Sequence, residues 1–248
     1  MDTHCVELFA ECAGAIRRGV AMVPRSDNDK EYFPQDWFID RLAAVDLPYL
    51  QQGRNSYPDF WVGGTGRPPI EGYEVKSLSF SNGKPARRDC DSNSTIPSGR
   101  KNGRDIFMAF FLYTGSGQDP RPVHSLSIAH VDLINADYAV ADAHTNQAVH
   151  GFGSYGDGFI RNRKMYVFPH PLSLDPTGLG CCHLIVPSTW HVSDPRLVKV
   201  AELQRTIAAE CVRSYSIELL SHGDIEVQRA SCADAGTVRT FDVFELGV

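Results

Sequence analysis

The feature that most constrains the fold is an uninterrupted apolar run at residues 106–113, which reads Ile-Phe-Met-Ala-Phe-Phe-Leu-Tyr. A short run of this kind between polar segments is typical of a strand buried inside a sheet. Two segments with helical periodicity precede it, at residues 4–18 and 30–45, and each places its apolar side chains along one stripe. Together these patterns predict a sheet flanked by helices.

The sequence marks the end of the first helix clearly but leaves the start of the second helix open. Gly19 follows the first pattern and is predicted to end that helix. Pro34 is tolerated best in a first turn, so it leaves open where the second helix begins. The apolar stripes consist of Val6, Phe9, Ala10, Ala13 and Ile16 in the first helix, and Phe33, Trp37, Phe38, Leu42 and Val45 in the second.

Most of the remaining chain has strand character. Strands are predicted at residues 60–62, 72–79, 165–168 and 184–186, and residues 124–133 alternate with Leu126, Ile128 and Val131 inward. A helix is predicted over 194–210, with its apolar face formed by Leu197, Val200, Ala201, Leu203 and Ile207. The tail, residues 212–245, alternates again, and residues 80–104 are polar enough to predict a long functional loop. The expected fold class is α/β or α+β, with a mixed central β-sheet, in one domain over residues 1–248 because no linker divides the chain.

Composition limits the function classes. The net charge of −6 excludes a uniformly basic nucleic-acid coat but not local basic patches. No apolar run approaches 18 residues, and the start of the chain lacks the pattern of a secretory signal, so no membrane association is expected. The odd count of 7 cysteines predicts reduced thiols and a cytoplasmic location. The sequence Cys181-Cys182-His183 favours a buried strand over a zinc site, because the second half of a zinc motif is missing.

One pair of charged residues inside a predicted strand requires an explanation. Glu74 and Lys76 are two residues apart and therefore share a face, while Val75 points to the core. A Gly/Pro-rich loop would let residues 59–62 pair with 71–74 as antiparallel strands. In one of several registers, Val62 lies opposite Glu71, and Asp59 then lies opposite Glu74.

Two carboxylates and an ammonium group would then converge. Adjacent carboxylates repel unless a proton or a cation lies between them. Mg²⁺ suits such a site, because it is a hard cation that binds a few protein oxygens together with water and phosphate. Lys76 could position or help to deprotonate a water, or stabilise charge that develops on phosphorus. The alternative is a surface hairpin with an ordinary Glu–Lys arrangement.

The spacing of Pro58-Asp59 and Glu74-x-Lys76 resembles the PD-(D/E)xK nuclease superfamily, and the segment Gly53-Arg54-Asn55-Ser56-Tyr57-Pro58-Asp59 looks like type II restriction endonucleases. The resemblance covers residues 29–80 and implies a restriction-endonuclease-like fold. It further implies that Asp59, Glu74 and the carbonyl of Val75 bind Mg²⁺, and that Lys76 is the catalytic lysine. Some relatives add an acid from the preceding helix, for which Glu31 is the candidate, although it is equally explained as a first-turn acid.

Two basic segments are candidates for DNA contact. Residues 84–104 hold six basic and two acidic side chains, and Arg, Asn and Asp can read base edges. Residues 161–164 follow a Gly-rich segment that does not lie between a strand and a helix, so phosphate contact or a structural turn explains it better than dinucleotide binding. A solvated loop remains the alternative for the first segment. The candidate DNA-binding residues are Arg87, Arg88, Asp91, Asn93, Arg100, Lys101, Arg104, Arg161, Arg163 and Lys164.

The resemblance implies a type II site-specific deoxyribonuclease that hydrolyses double-stranded DNA and leaves 5′-phosphate ends. Its implied partners are the DNA, a homodimer mate if the target is palindromic, and a protective DNA methyltransferase. Three alternatives stay open at this point. They are a repair or junction-resolving nuclease of the same fold, a non-catalytic DNA-binding module, and an unrelated protein in which the three residues never converge.

Overall fold

The structure is a computed structural model of the chain. It describes residues 4–29, 32–53, 56–63, 70–81, 84–85, 89–92, 99–136, 161–163, 166–169, 179–207, 209–218, 224–231 and 234–247.

The chain begins with two helices followed by strands, as expected, and a third, short helix lies between strands in the middle of the chain. The helices are α1 (Cys5–Arg17), α2 (Tyr32–Ala44) and α3 (Val131–Ala136). The strands up to α3 are β1 (Tyr49–Gln51), β2 (Phe60–Val62), β3 (Glu71–Ser81), β4 (Lys84–Pro85), β5 (Asp89–Ser92), β6 (Arg100–Lys101), β7 (Arg104–Tyr113) and β8 (Val123–His130). After α3 come β9 (Arg161–Arg163), β10 (Tyr166–Pro169), β11 (Cys182–Pro187), β12 (Leu197–Thr206), β13 (Glu210–Glu218), β14 (Asp224–Ser231) and β15 (Val238–Leu246).

Ten strands form the main sheet, in the order β1-β2-β3-β7-β8-β11-β15-β12, with β4 beside β3 and β6 beside β7. The pairs β3–β7 and β8–β11 are parallel, and the other pairs are antiparallel, so the sheet is mixed. Two smaller sheets consist of β5 with β10 and of β9 with β13 and β14. The chain is therefore a mixed α+β protein with a large central mixed sheet.

Strand β7 contains the apolar run and is buried on both of its faces. Phe107, Ala109 and Phe111 lie on the face that α1 and α2 cover, and Trp37 packs edge-on against Phe111 at 5.4 Å between ring centroids. The other face of β7 carries Met108 and Phe110, which share a core cluster with residues of α3. The prediction of a buried strand is confirmed, because covering both faces buries residues 106–112 and leaves only Tyr113 of the run partly exposed.

Both amphipathic helices and the strands at 60–62, 72–79 and 184–186 are confirmed to within a few residues. None of the described helices has the length and apolar character that crossing a bilayer requires. Cys5, Cys12, Cys181 and Cys182 are free thiols, and β11 begins at Cys182, as the interpretation of a buried strand predicted.

The predicted helix over residues 194–210 is wrong, because residues 197–206 form strand β12. Spacings of two and four residues between Ala201, Leu203 and Ile207 fit a strand as well as a helix. In the structure Leu203 and Ile207 are buried, whereas Val198 and Val200 are exposed. Pairing with β15 satisfies the backbone of β12, and a bulge between Lys199 and Ala201 shifts its register. The β-branched valines also favour a strand.

Two smaller predictions need correction. The loop over residues 80–104 contains the short strands β4, β5 and β6. The alternating segment at 124–133 ends as a strand at His130, and Val131 begins α3.

Candidate active site

The hairpin of β2 and β3 has the register that placed Val62 opposite Glu71. Phe60 pairs with Tyr73, so the residue before β2, Asp59, lies at the level of Glu74. The Asp59 carboxylate accepts a hydrogen bond from the backbone N–H of Val75, with 2.8 Å between Oδ2 and N. Asp59, which directly precedes β2, is therefore held against the backbone of β3 between Glu74 and Lys76.

Gly72 makes this close approach possible. A Cβ atom at Gly72 would lie 2.6 Å from Cγ of Pro58 and 2.7 Å from Cδ1 of Ile106. Glycine in a strand interior often marks a site where another part of the chain approaches closely. Here the approaching group is the proline ring directly before Asp59, so Gly72 allows the carboxylate to reach Val75.

Glu74 and Lys76 form an ion pair in which Nζ and Oε1 are 2.7 Å apart. The Glu74 side chain is only 5% exposed, and that of Lys76 is 22% exposed. The second oxygen of Glu74, Oε2, is buried and has no hydrogen-bond partner among the residues that the structure describes. A buried carboxylate oxygen without a partner is costly, which makes it a candidate ligand for a cation.

The carbonyl of Val75 points toward the same space. In a strand the N–H and C=O groups of one residue face the same neighbour. The N–H of Val75 is directed at Asp59, so its carbonyl is directed to the same side of β3. At this level the chain beside β3 is the segment that precedes β2. The Asp59 carboxylate and the Val75 carbonyl thus lie on the same side of β3, and Glu74 is the residue directly before Val75.

The donor set suits a hard divalent cation. Carboxylate and carbonyl oxygens are ligands of Mg²⁺, which keeps several waters and needs few protein groups. Within the described ranges no group of three or more His, Cys, Asp or Glu side chains could hold a metal. The oxygen donors of Asp59, Glu74 and the Val75 carbonyl are of the type that would hold Mg²⁺ together with water, and the described side chains do not form a cage of three.

Tyr57 belongs to the site, although the motif around Pro58-Asp59 predicts no role for it. Its hydroxyl is buried and has no hydrogen-bond partner within the described part of the chain. Burial raises the pKa of this phenol, and the nearby charges of Glu74 and Asp132 raise it further. Tyr57 is therefore neutral and keeps a hydroxyl proton near Glu74. The signal in the sequence is an aromatic residue directly before Pro58-Asp59.

Three of the candidate DNA-binding residues have described side chains. Lys101 donates a hydrogen bond to the backbone carbonyl of Tyr57, and its ammonium lies 5.5 Å from the centre of the Tyr57 ring. Arg104 lies over the ring of Trp61 at 5.7 Å. Arg100 is 62% exposed and lies 3.4 Å from Asp105. The structure thus brings Lys101 and Arg104 to the segment that carries Asp59, and Arg100 lies beside them.

The other candidates are less closely placed. Asp91 lies in β5, paired with Val167 of β10, while Arg161 and Arg163 lie in β9, paired with β13. Asp91 therefore lies in a different small sheet from Arg161 and Arg163, whereas Arg100 and Lys101 belong to the main sheet. Glu31, Arg87, Arg88, Asn93 and Lys164 lie outside the described residues, as does the Gly-rich segment before residue 161.

Comparisons of the chain with protein-family models, with curated proteins and with solved structures return no significant match.

Proposed function

We propose that the protein is a Mg²⁺-dependent, sequence-specific endonuclease that hydrolyses phosphodiester bonds of double-stranded DNA and leaves 5′-phosphate ends. The observation that carries the proposal is the cluster at the β2–β3 hairpin. Asp59 is bound to the backbone of Val75, and Glu74 holds a buried oxygen without a described partner beside Lys76. This is the arrangement that the resemblance to PD-(D/E)xK nucleases implies, within a mixed sheet flanked by helices.

The residues of the cluster have different roles in this proposal. Asp59, Glu74 and the Val75 carbonyl would hold Mg²⁺, which, when bound, supplies Lewis acidity toward a phosphoryl oxygen and lowers the pKa of a water. Glu74 keeps the Lys76 ammonium in place through Oε1. From there, Lys76 positions a water for attack or stabilises the negative charge that develops on the phosphate. The buried hydroxyl of Tyr57, which has no hydrogen-bond partner among the described residues, would be available to donate a hydrogen bond to a bound group.

DNA contact is assigned to local basic groups, because the chain as a whole is acidic. Lys101 packs against the ring of Tyr57 and Arg104 against the ring of Trp61. Both would contact phosphates next to the cleavage site. The sequence also proposes DNA contacts for Arg87, Arg88, Arg161 and Arg163. A palindromic target would bind a two-fold dimer, and a protective methyltransferase would act in the same cytoplasm.

The first experiment is incubation of the purified protein with unmethylated phage DNA, in Mg²⁺ and in EDTA. Discrete fragments that form only with Mg²⁺ support the proposal, and mapping their ends identifies the site. A smear, or nicking confined to branched DNA, would instead indicate a nuclease without sequence recognition. Retention of DNA without cleavage would indicate a binding module.

The matched variants are Asp59→Ala and Asp194→Ala. Both carboxylates accept a backbone N–H at 2.8 Å, but Asp194 lies on the loop before β12. We expect Asp59→Ala to abolish cleavage while the fold and DNA binding are largely retained, and Asp194→Ala to cleave like the wild type. Cleavage by Asp59→Ala at the wild-type rate would refute the site assignment.

A further inference from the structure

A second site lies at the edge of the main sheet where β7 and β15 begin and where β8 and β11 end. It is a cavity of about 630 Å³, which is within the size range of small-molecule sites. Its walls combine charged, aromatic and hydroxyl groups. The lining residues that matter for its chemistry are Arg100, Asp105, His130, Asp132, Trp190 and Arg239.

His130 anchors the wall of the cavity and is only 2% exposed. Its Nδ1 accepts a hydrogen bond from the backbone N–H of Asp132 at 3.2 Å. That nitrogen is therefore unprotonated, and Nε2 carries the proton, 3.3 Å from Oδ1 of Asp105. Both ring nitrogens are engaged, so His130 orients Asp105 and is not itself a nucleophile or a metal ligand.

Asp132 is fixed in the same way. Its Oδ1 accepts the backbone N–H of Gly99 at 2.7 Å, and its Oδ2 lies 3.4 Å from Nη1 of Arg239. Gly99 must be glycine for this contact, because a Cβ atom there would lie 2.4 Å from Cε1 of His130. The two carboxylates of the wall are thus held in place by backbone and side-chain contacts before any ligand binds.

The charges of the wall are balanced. Arg100 lies 3.4 Å from Asp105, and Arg239 lies 3.4 Å from Asp132. A free phosphate would be repelled by the two carboxylates, and a divalent cation by the two guanidinium groups. Trp190, whose ring meets His130 edge-on at 5.4 Å, adds an aromatic surface. A planar neutral heterocycle with both donors and acceptors is the ligand class that matches this wall.

We propose that this cavity binds a guanine base. Guanine presents O6 and N7 as acceptors, which guanidinium groups recognise. It also presents N–H donors at N1 and N2, which carboxylates accept. Adenine places a donor where guanine has O6, and cytosine lacks the N1–H and N2–H pair, so each would leave part of the charged wall unmatched. Trp190 would contact the purine ring, as aromatic side chains do with bases.

The cavity is connected to the candidate active site through β6. Arg100 and Lys101 are consecutive strand residues and therefore point to opposite sides. Arg100 lines the cavity, and Lys101 binds the carbonyl of Tyr57. A base bound by Arg100 would thus lie beside Lys101, which contacts the segment that carries Asp59. The base could come from a free nucleotide or from a nucleotide turned out of nucleic acid.

This inference does not rest on the nuclease proposal, because nucleotide binding is measured without DNA cleavage. The experiment is isothermal titration calorimetry of the full chain with guanosine, adenosine and cytidine 5′-monophosphates. We expect the guanosine nucleotide to bind, and the other two to bind about tenfold more weakly or not at all. Equal affinity for all three would overturn the proposal.

The variants are Arg239→Gln, which removes a guanidinium of the wall, and Arg196→Gln as the control. Arg196 is also paired with an aspartate, Asp194, but lies outside the cavity lining. We expect Arg239→Gln to weaken guanosine nucleotide binding about tenfold and Arg196→Gln to leave it unchanged. Asp105→Asn provides a second variant of the wall, and binding of the guanosine nucleotide with wild-type affinity by both wall variants would refute the site.

The source of the base is tested with a DNA duplex in which the fluorescent analogue pyrrolocytosine pairs with a guanine. Loss of the pair on binding raises the fluorescence of the analogue. A rise that Arg239→Gln abolishes indicates a base turned out of DNA, whereas calorimetric binding without this rise indicates a free nucleotide. Absence of both signals would refute the proposed pocket, whether or not the protein cleaves DNA.

Discussion

The two ends of the main sheet each bring a lysine together with carboxylates, but in opposite environments. At the β2–β3 end, Lys76 lies 2.7 Å from Glu74, whose side chain is 5% exposed. At the β15–β12 end, Lys199 lies 2.7 Å from Asp242 and 3.1 Å from Glu202, which is 47% exposed. Hydrogen bonds to Asp242 and then Glu202 raise the pKa of Lys199, so this ammonium is fully charged and exposed to solvent.

The comparison shows that converging charges alone do not define a reactive site. Around Lys199 both carboxylates contact the lysine ammonium, and Asp242 also accepts a hydrogen bond from the hydroxyl of Ser188. An ion pair as exposed as that of Lys199 and Glu202 contributes little to stability. Around Lys76 the burial of Glu74 leaves Oε2 without a partner among the described residues, and Asp59 is held beside it. Burial and a missing partner are what distinguish the candidate active site.

The largest difference between the two ends should appear in activity. We expect Lys76→Ala to lower the rate of DNA cleavage about 10³-fold, because the variant loses the group that stabilises charge at the phosphate. Lys199→Ala should retain the wild-type rate. Initial rates on a mapped DNA site give both values, with circular dichroism to show that each variant is folded. Equal rates for the two variants would remove the functional distinction between the two ends.

The hairpin should also be more sensitive than the surface to a single methyl group. Gly72→Ala would place a Cβ atom against Pro58 and Ile106, and we expect it to lower the free energy of unfolding by about 2 kcal/mol through overpacking. Gly53→Ala is the control. Gly53 lies five residues before Pro58 in the chain, but a Cβ atom there would meet no other described atom within 4 Å. Urea denaturation measures both. Similar midpoints for the two variants would show that Pro58 moves without cost.

Cation binding should differ between the two glutamates. We expect Glu74→Gln to weaken Mg²⁺ binding about tenfold or more, equivalent to ~1.4 kcal/mol, because the buried oxygen no longer belongs to a carboxylate. Glu202→Gln should bind Mg²⁺ like the wild type. The increase in melting temperature with Mg²⁺ or Ca²⁺ concentration reports the affinity. If Mg²⁺ stabilises both variants equally, the cation binds elsewhere.

The smallest expected effect is a pH dependence of the free energy of unfolding, which arises in the β11–β15 region. Burial lowers the pKa of His183 from its ordinary value of 6.5, against the opposing charge of Glu245. The folded protein therefore binds this proton less readily than the unfolded chain. The stability contribution of the neutral imidazole is fully present above pH 6.5 and is lost as the pH falls toward the lowered value. His183→Gln should flatten this part of the dependence.

Urea midpoints of the wild type and His183→Gln between neutral and mildly acidic pH provide the measurement. Parallel curves would show that His183 has the same proton affinity in the folded and unfolded states.

Part of the candidate site follows from local sequence rules. Glu74 and Lys76 share a face because side chains alternate along any strand. The register of β2 on β3 was one of several that the sequence allowed, and the structure selects the one that pairs Phe60 with Tyr73. The roles of Tyr57 and Gly72 could not be predicted in the same way, because they depend on how the Pro58 ring packs on β3. The cavity was not predicted either, since Asp105, His130, Trp190 and Arg239 come from four separate segments.

The sequence by itself determined the periodicities, and with them the two amphipathic helices, the buried strand β7 and the charged face of β3. These depend on interactions between neighbours in the chain, which repeat every 3.6 or every two residues. Only the tertiary structure decided that residues 197–206 are a strand, because apolar spacings of two and four fit both structures and pairing with β15 selects one. It also decided that Glu74 is buried with an oxygen that no described residue contacts by a hydrogen bond, while Glu202 is exposed, because burial depends on which distant elements cover a residue.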